Sequence, residues 1–139
     1  MPGKRYIHEG CASFAFPCDL TVPTVRDFLD ILQRHMPRRL AEDWDNVGLL
    51  VGDPGQDIRS VLVALDPALP LLDQARASGH NCILTHHPAI FRPLKALRTD
   101  TPLGAFIAGA ARHDISLIAC HTNLDAVRGG VSDVLATAL

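Results

Sequence analysis

Two short polar segments of the sequence hold side chains that commonly bind metal ions. Residues 85–88 read Thr-His-His-Pro, and residues 121–125 read His-Thr-Asn-Leu-Asp. Each segment directly follows a short apolar stretch. Imidazole and carboxylate groups are standard ligands for zinc, iron and manganese. The two segments therefore fit a metal site. A His-His pair in a loop is also often simply solvated, and the spacing alone leaves both interpretations open.

The surrounding pattern predicts where these segments lie in the fold. Short, continuously apolar strands alternate with helices, and no hairpin signal stands between the strands. The strands are predicted at residues 60–65, 81–85 and 115–120, and the helices at 70–78, 102–113 and from 131 onward. This alternation favours an α/β fold with a parallel sheet between helical layers, an α/β/α domain. Ligands bind beyond the carboxyl ends of such strands, where both polar segments begin.

The sequence before these strands contains one clear helix. Thr24 and Asp27 have the spacing of a capping box, apolar residues follow at helical intervals, and Pro37 ends the helix. Residues 44–52, with two glycines, predict a turn that leads into a short strand. Residues 1–22 have no clear period and are interpreted as an irregular N-terminal arm, which leaves residues 23–139 as the folded unit.

Composition argues against several classes of partner. The formal net charge is -2 and aromatic residues make up 5% of the chain, so neither value favours nucleic acid. No apolar run reaches the length needed to span a bilayer, and the N-terminus does not read as a signal peptide. We therefore expect a cytoplasmic protein without a membrane partner. The sequence has four cysteines, Cys11, Cys18, Cys82 and Cys120, and none forms a Cys-x-x-Cys pair. We expect them to be reduced and mostly buried.

Four motifs, in this order and spacing, resemble the family called NIF-three-like or GTP cyclohydrolase type 2. The motifs are residues 44–49 (Trp-Asp-Asn-Val-Gly-Leu), 85–88 (Thr-His-His-Pro), 121–126 (His-Thr-Asn-Leu-Asp-Ala) and 129–130 (Gly-Gly). The resemblance covers the chain from about residue 24 to its C-terminus. The double-histidine motif and the His-Thr-Asn-Leu-Asp motif are specific when they occur together.

The resemblance implies a dinuclear metal site at the carboxyl edge of the sheet. It implies His86, His87 and Asp125 as ligands of two divalent ions, which would be zinc, iron or manganese. His121 would be a neighbour of the site or an outer group that orients a ligand. Asp45 and Asn46 are further candidates for such outer contacts, with simple turn formation as the alternative. The resemblance also implies a ring-shaped homo-oligomer.

The chain departs from the family pattern in one respect. Family members are longer and take two further ligands from a C-terminal His-x-x-x-Glu motif, whereas the only glutamates here are Glu9 and Glu42 and neither has that spacing. We therefore interpret residues 23–139 as the N-terminal metal-site half of the family fold, with the C-terminal half absent. The complete protein would be a metal-dependent hydrolase acting on a small molecule, and this shorter form is expected to be inactive. The alternative is a non-enzymatic metal-binding or regulatory interaction protein.

Several other polar residues have simpler interpretations. Asp66 follows a predicted strand and is expected to cap the next helix rather than to act as an acid. Lys95 is expected to be a solvated surface lysine rather than a phosphate contact. The histidines expected to lie at the surface or at helix ends are His8, His35, His80 and His113.

Overall fold

A computed structural model of the chain describes residues 22–139, so the predicted irregular arm lies outside the described residues apart from Val22. The helices are α1 (Val25–His35), α2 (Leu69–Ala77), α3 (Pro102–Arg112), α4 (Thr122–Ala126) and α5 (Val131–Ala138). The strands are β1 (Gly48–Val51), β2 (Val61–Ala64), β3 (Cys82–Thr85) and β4 (Ser116–Ala119). A short 3-10 helix spans Arg38–Leu40. Among the described residues, no helix is long and apolar enough to cross a membrane.

The four strands form one sheet in the order β1-β4-β3-β2. Strands β2, β3 and β4 are mutually parallel, which confirms the parallel arrangement predicted for the strands near 60–65, 81–85 and 115–120. Strand β1 pairs antiparallel with β4 and adds an edge whose direction the sequence pattern did not predict. The α/β fold class is therefore confirmed, with a mixed rather than wholly parallel sheet.

Alternate residues of the parallel strands pack against helices on opposite faces of the sheet. Ile83 of β3 and Leu117 of β4 lie in a cluster with α2 and α3, which contribute Leu72 and Phe106. Cys82 and Ile118, their sequence neighbours, lie in a second cluster with α1. Because successive side chains of a strand point to opposite faces, a continuously apolar strand is buried on both sides. The sheet therefore lies between two layers of helices, as predicted.

Helix α1 begins at the predicted capping box. The Thr24 hydroxyl accepts from the Asp27 N–H at 3.3 Å, and the Asp27 carboxylate accepts from the Thr24 N–H at 2.8 Å. Val25 and Leu32 point into the core, and Pro37 follows the C-cap residue. The start and end predicted for this helix are therefore confirmed.

The α1 side of the sheet is only partly covered. Val63 of β2 and Leu65 just beyond it are 69% and 60% exposed, although both belong to an apolar strand. Strand β2 is also an edge strand, since it pairs only with β3 in the sheet. An exposed apolar edge of this kind is a common site of association.

The two described cysteines are buried and free of disulfide bonds, as predicted. Burial raises the pKa of the Cys82 thiol to about 12. Burial also raises the pKa of Cys120, to about 11, against a smaller opposing effect of a hydrogen bond with Asn123. Both thiols are therefore protonated at neutral pH and behave as small apolar core groups. Cys11 and Cys18 lie outside the described residues.

Candidate metal centre

The register of the parallel strands brings the two polar segments together. Thr85, the last residue of β3, pairs with Ala119, the last residue of β4. The ladder continues past the strand ends, since the Cys120 N–H donates to the Thr85 carbonyl at 3.0 Å. His86 and His121, which come next in the chain, therefore leave the sheet side by side.

The imidazoles of His86, His87 and His121 form a compact cluster. Each ring offers one nitrogen that lies within 4.8 Å of the corresponding nitrogens of the other two. The ring centroids are 4.9 Å apart for His86 and His87, 5.1 Å for His86 and His121, and 5.5 Å for His87 and His121. This set of donors could hold a metal ion.

Each of the three imidazoles has its Nδ1 next to an oxygen from a different segment. His86 Nδ1 lies 3.0 Å from the Cys120 carbonyl oxygen. His87 Nδ1 lies 2.6 Å from Asp66 Oδ1, and His121 Nδ1 lies 2.9 Å from Asp45 Oδ1. A carbonyl or carboxylate oxygen only accepts, so Nδ1 carries the proton and donates. In a neutral imidazole this leaves the lone pair on Nε2, which is the arrangement of metal-binding histidines with an outer carboxylate or carbonyl.

Asp45 is held at several points. Its side chain is fully buried, and it accepts from the Thr122 N–H at 3.1 Å, from the Thr122 hydroxyl and from the Asn46 N–H at 2.8 Å, besides His121. Burial raises the pKa of this carboxyl, but the hydrogen bonds from His121, Thr122 and Asn46 together outweigh burial and lower it. The carboxylate is therefore ionised at neutral pH and rigid in position.

Asp125 lies on the first turn of α4, beside the imidazoles. Its Oδ1 is 3.7 Å from His86 Nε2, and about a third of its side chain is exposed. Two ligands of one tetrahedral zinc, each about 2.0–2.2 Å from the metal, lie roughly 3.3–3.6 Å apart. The spacing of these two atoms is thus close to that of a ligand pair. The sequence pattern does not predict helix α4, which has only five residues and begins shortly after the third parallel strand.

Asn46 takes a different position from Asp45. Its side-chain amide donates to the Ile90 carbonyl, in the loop that follows the two histidines. Among the hydrogen bonds of residues 22–139, none joins this amide to an imidazole. Asn46 therefore holds the loop beside the cluster, and its backbone N–H supports Asp45.

The expected capping role of Asp66 is wrong. The N-cap of α2 is Ala68, with no side-chain cap, whereas Asp66 contacts His87. The reason lies in the sheet register: Ala64 of β2 pairs with Thr85 of β3, so the residues two positions beyond each strand end are also neighbours. Sequence reasoning treated Asp66 only in relation to the helix that follows it, and the equal offset from the two strand ends was the signal that could have revealed the pair.

Two aromatic side chains border the cluster on the His121 side. Trp44 and Phe91 meet edge to face with ring centroids 5.8 Å apart, and their centroids lie 6.5 Å and 6.3 Å from that of His121. Trp44 is 60% exposed and Phe91 is 40% exposed. These two partly exposed aromatic rings therefore border the histidine cluster on one side.

The remaining histidines lie away from this cluster. His80 Nδ1 is 2.8 Å from the Ser60 hydroxyl, and His35 and His113 are exposed. His8 lies outside the described residues. Lys95 is exposed, in agreement with its interpretation as a surface lysine.

Comparison with known proteins identifies the family. The Duf34/NIF3 family (NGG1p interacting factor 3) matches residues 23–139, which is most of the chain. The chain belongs to this family. The resemblance recognised in the motifs is thereby confirmed.

Curated relatives in the NIF3 family are longer than this chain. A protein of Halalkalibacterium halodurans named GTP cyclohydrolase 1 type 2 homolog is 44% identical over 111 residues, which are 80% of this chain and 30% of the relative. A Staphylococcus aureus protein of the same name is 44% identical over 115 residues, 83% of this chain and 31% of the relative. The chain thus spans about a third of the length of these relatives.

Solved structures of the family have the same fold over the matched region. The Staphylococcus aureus protein SA1388 superposes with a TM-score of 0.81 at 41% identity, over 84% of this chain and 38% of that one. A Bacillus cereus protein related to NIF3 gives 0.80 at 39% identity, over 84% and 32%. Reduced HcgD from Methanocaldococcus jannaschii gives 0.76 at 30% identity, over 83% and 46%.

Proposed function

We propose that this NIF3-family chain binds divalent metal through His86, His87 and Asp125. The observation that carries the proposal is the state of His86. Its Nδ1 donates to a backbone carbonyl, which cannot itself donate, so in the neutral ring Nε2 has the lone pair, and Nε2 lies 3.7 Å from Asp125 Oδ1. A neutral imidazole and a carboxylate at this spacing fit zinc, iron or manganese in chemical type.

The surrounding residues support the same interpretation. Asp66 and Asp45 each accept from the Nδ1 of another imidazole, so His87 and His121 have the same tautomer as His86. Such outer contacts fix the ring orientation and raise the basicity of the free nitrogen. Asn46 acts on the loop that carries the histidines rather than on a ring.

We further propose that the complete site holds two divalent ions and belongs to a hydrolase. Bound metal would supply Lewis acidity and activate water toward a small-molecule substrate. The relatives' curated name makes GTP one candidate for that substrate. Because this chain spans about a third of those relatives, the second set of ligands would come from sequence beyond it. A ring-shaped homo-oligomer and a cytoplasmic location are parts of this proposal.

A second candidate is a metal-binding protein that regulates a partner without turnover. The family description, NGG1p interacting factor 3, names an interaction rather than a reaction and favours this candidate. The same imidazoles and carboxylates would then stabilise a binding surface. Turnover of GTP with added manganese, iron or zinc, measured on a form that carries both sets of ligands, separates the two candidates, since only the hydrolase releases product.

Metal content is the direct test of the shared part of both candidates. The purified chain is loaded with zinc, dialysed and analysed for metal, beside His86→Ala and the control His80→Ala. His80 is a suitable control because it hydrogen-bonds Ser60 away from the cluster. We expect retained zinc in the parent and the control, and loss in His86→Ala. Equal retention in all three proteins would contradict the proposed site.

A further inference from the structure

We propose that residues 14–22 of this chain form an additional strand on the outer edge of β2 and cover its exposed apolar side chains. The proposal concerns the surface of the fold and is independent of the metal binding proposed above. It names the N-terminal segment of the chain itself, rather than a second copy of the chain, as the occupant of this edge.

The outer edge of β2 is open in the described part of the chain. There, β2 pairs in the sheet only with β3, and the Ala64 carbonyl accepts from the His86 N–H on the β3 side. Because successive residues of a strand direct their backbone groups to opposite edges, those of Val61 and Val63 point away from β3. Val63 and the nearby Leu65 are also 69% and 60% exposed. Such an edge favours the addition of a further strand.

The chain enters the described fold beside the start of β2. Thr24 forms an antiparallel bridge with Asp57, which lies shortly before β2. The Ile58 N–H donates to the Pro23 carbonyl at 2.7 Å in the same contact. In an antiparallel arrangement, the residues before Thr24 lie beside the residues after Asp57. A straight continuation of the segment before Pro23 therefore follows the outer edge of β2.

The sequence of that segment alternates with the period of a strand. Residues 14–22 read Phe-Ala-Phe-Pro-Cys-Asp-Leu-Thr-Val, so every even-numbered position holds a larger apolar residue or cysteine. This pattern is typical of a strand with one covered face. The alternation is local, since residues 1–22 have no clear period as a whole. The interpretation as an irregular arm then applies to residues 1–13.

The offset of the bridge places the apolar residues of this segment against those of β2. Carried along β2, the same offset puts Leu20 opposite Val61 and Cys18 opposite Val63. Val61 packs on the α1 side of the sheet, and opposite residues of a strand pair share a face, so Leu20 and Cys18 cover the α1 side. Pro17 then directs its backbone away from β2, where its missing N–H breaks no ladder hydrogen bond.

Attachment to the same chain favours the N-terminal segment over a second copy. A segment tethered next to the edge has an effective concentration there on the order of millimolar. A second copy at ordinary protein concentration is more dilute than this. Association of two copies through β2 is therefore restricted to high protein concentration, and the segment limits it by occupying the same edge.

Hydrogen exchange of single amides in the full chain tests the pairing. At low protein concentration we expect the Val63 N–H to exchange roughly tenfold or more slowly than an unpaired amide. Leu20→Asp puts a charge on the covered face and should abolish this protection. Thr21→Asp puts the same charge on the opposite face, one position along, and is the matched control that should retain it.

Three results of this exchange experiment would overturn the proposal. The first is an unprotected Val63 N–H in the parent protein. The second is protection that survives Leu20→Asp. The third is protection that disappears on dilution, because it would assign the edge to a second copy.

Sedimentation at high protein concentration provides the second measurement. Release of the segment opens the edge, so we expect Leu20→Asp to raise the average mass relative to the parent and to Thr21→Asp. Addition of Val63→Thr to Leu20→Asp should reverse the increase. An average mass of Leu20→Asp equal to or below that of Thr21→Asp would contradict the role of the segment. Circular dichroism of each variant establishes that it is folded.

Discussion

His87 Nδ1 and Asp66 Oδ1 lie 2.6 Å apart across the carboxyl ends of two neighbouring parallel strands. The strand register brings them together, because each residue lies two positions beyond a member of the Ala64–Thr85 pair. Both side chains are substantially exposed, at 45% and 66%. Solvent screens their attraction, so the pair matters for the orientation of a ring more than for the stability of the fold.

Replacement of Asp66 is expected to weaken metal binding. Asp66→Ala removes the acceptor of His87 Nδ1, which frees the ring to rotate and to change tautomer. We expect zinc affinity to fall roughly 10- to 100-fold with little change in melting temperature. Competition titration with a chelating dye measures the affinity. Asp73→Ala is the matched control, because Asp73 is an exposed aspartate of α2 that pairs only with Arg76 in the described salt bridges. Equal effects of the two changes would contradict this role.

Trp44 is expected to report metal binding directly. It is the only tryptophan in the chain, and its ring centroid lies 6.5 Å from that of His121. Co²⁺ quenches nearby indole emission, so we expect Co²⁺ to reduce the fluorescence of the native protein with saturation at one equivalent per tight site. The quenching should be lost in His86→Ala. Quenching that persists there, or that never saturates, would indicate collisional contact with the exposed ring instead.

The capping box predicts a measurable loss of stability. Thr24→Ala removes the hydroxyl that accepts from the Asp27 N–H, and loss of such a cap costs about 1 kcal/mol. For a domain of this size we expect the melting temperature to fall by about 2–8 °C. Thr24→Ser keeps the hydroxyl and should restore most of the loss. A Ser variant as unstable as the Ala variant would show that the methyl group of Thr24, rather than the cap, is responsible.

The same capping box predicts that the stability of the fold depends on pH in the acidic range. Hydrogen bonds from the Thr24 N–H and from its hydroxyl lower the pKa of Asp27 in the folded protein below its ordinary 3.8. A carboxyl with a lowered folded pKa stabilises the fold above its ordinary pKa, and this contribution is lost as the pH falls through the folded value. Asp27→Asn should therefore flatten the stability profile below about pH 4. Urea unfolding between pH 2 and pH 6 measures the slope, and parallel profiles for the two proteins would contradict the prediction.

The uncovered strand edge predicts self-association. Val63 is 69% exposed on edge strand β2, and the nearby Leu65 is 60% exposed. We expect Val63→Thr to lower the average mass measured by sedimentation at high protein concentration, because it removes apolar area without changing the β-branched shape. Ile31→Thr, on the outer side of α1 and 42% exposed, is the control and should change the mass little. No difference between the variants would argue against β2 as the contact.

Local signals in the sequence predicted much of the fold. The capping box at Thr24 and the stop at Pro37 are contacts within a few residues, so their residue types specify them directly. The three parallel strands followed from continuous apolar runs without hairpin turns. The direction of β1 depends on its pairing with β4, a contact between distant segments that no local pattern encodes.

Strand ends and motifs predict where the candidate site lies, but they do not predict which groups contact its imidazoles. His86, His87 and Asp125 could be placed at one edge of the sheet because strand ends locate them. The partner of each imidazole could not be assigned, because the pairs His87–Asp66 and His121–Asp45 depend on register and on loop path. The motif resemblance identified the family, whereas the oxygens that accept from the imidazole Nδ1 atoms could be assigned only from the structure.

The imidazole anchors come from three segments that are far apart along the chain. Asp45 precedes β1, Asp66 follows β2, and the Cys120 carbonyl follows β4. When synthesis has proceeded just past the third strand, His86 and His87 are present in the nascent chain, but Cys120 and His121 are not. The anchored cluster therefore arises only after β4 has entered the sheet. The metal binding proposed for this centre would consequently follow the assembly of the strand order rather than direct it.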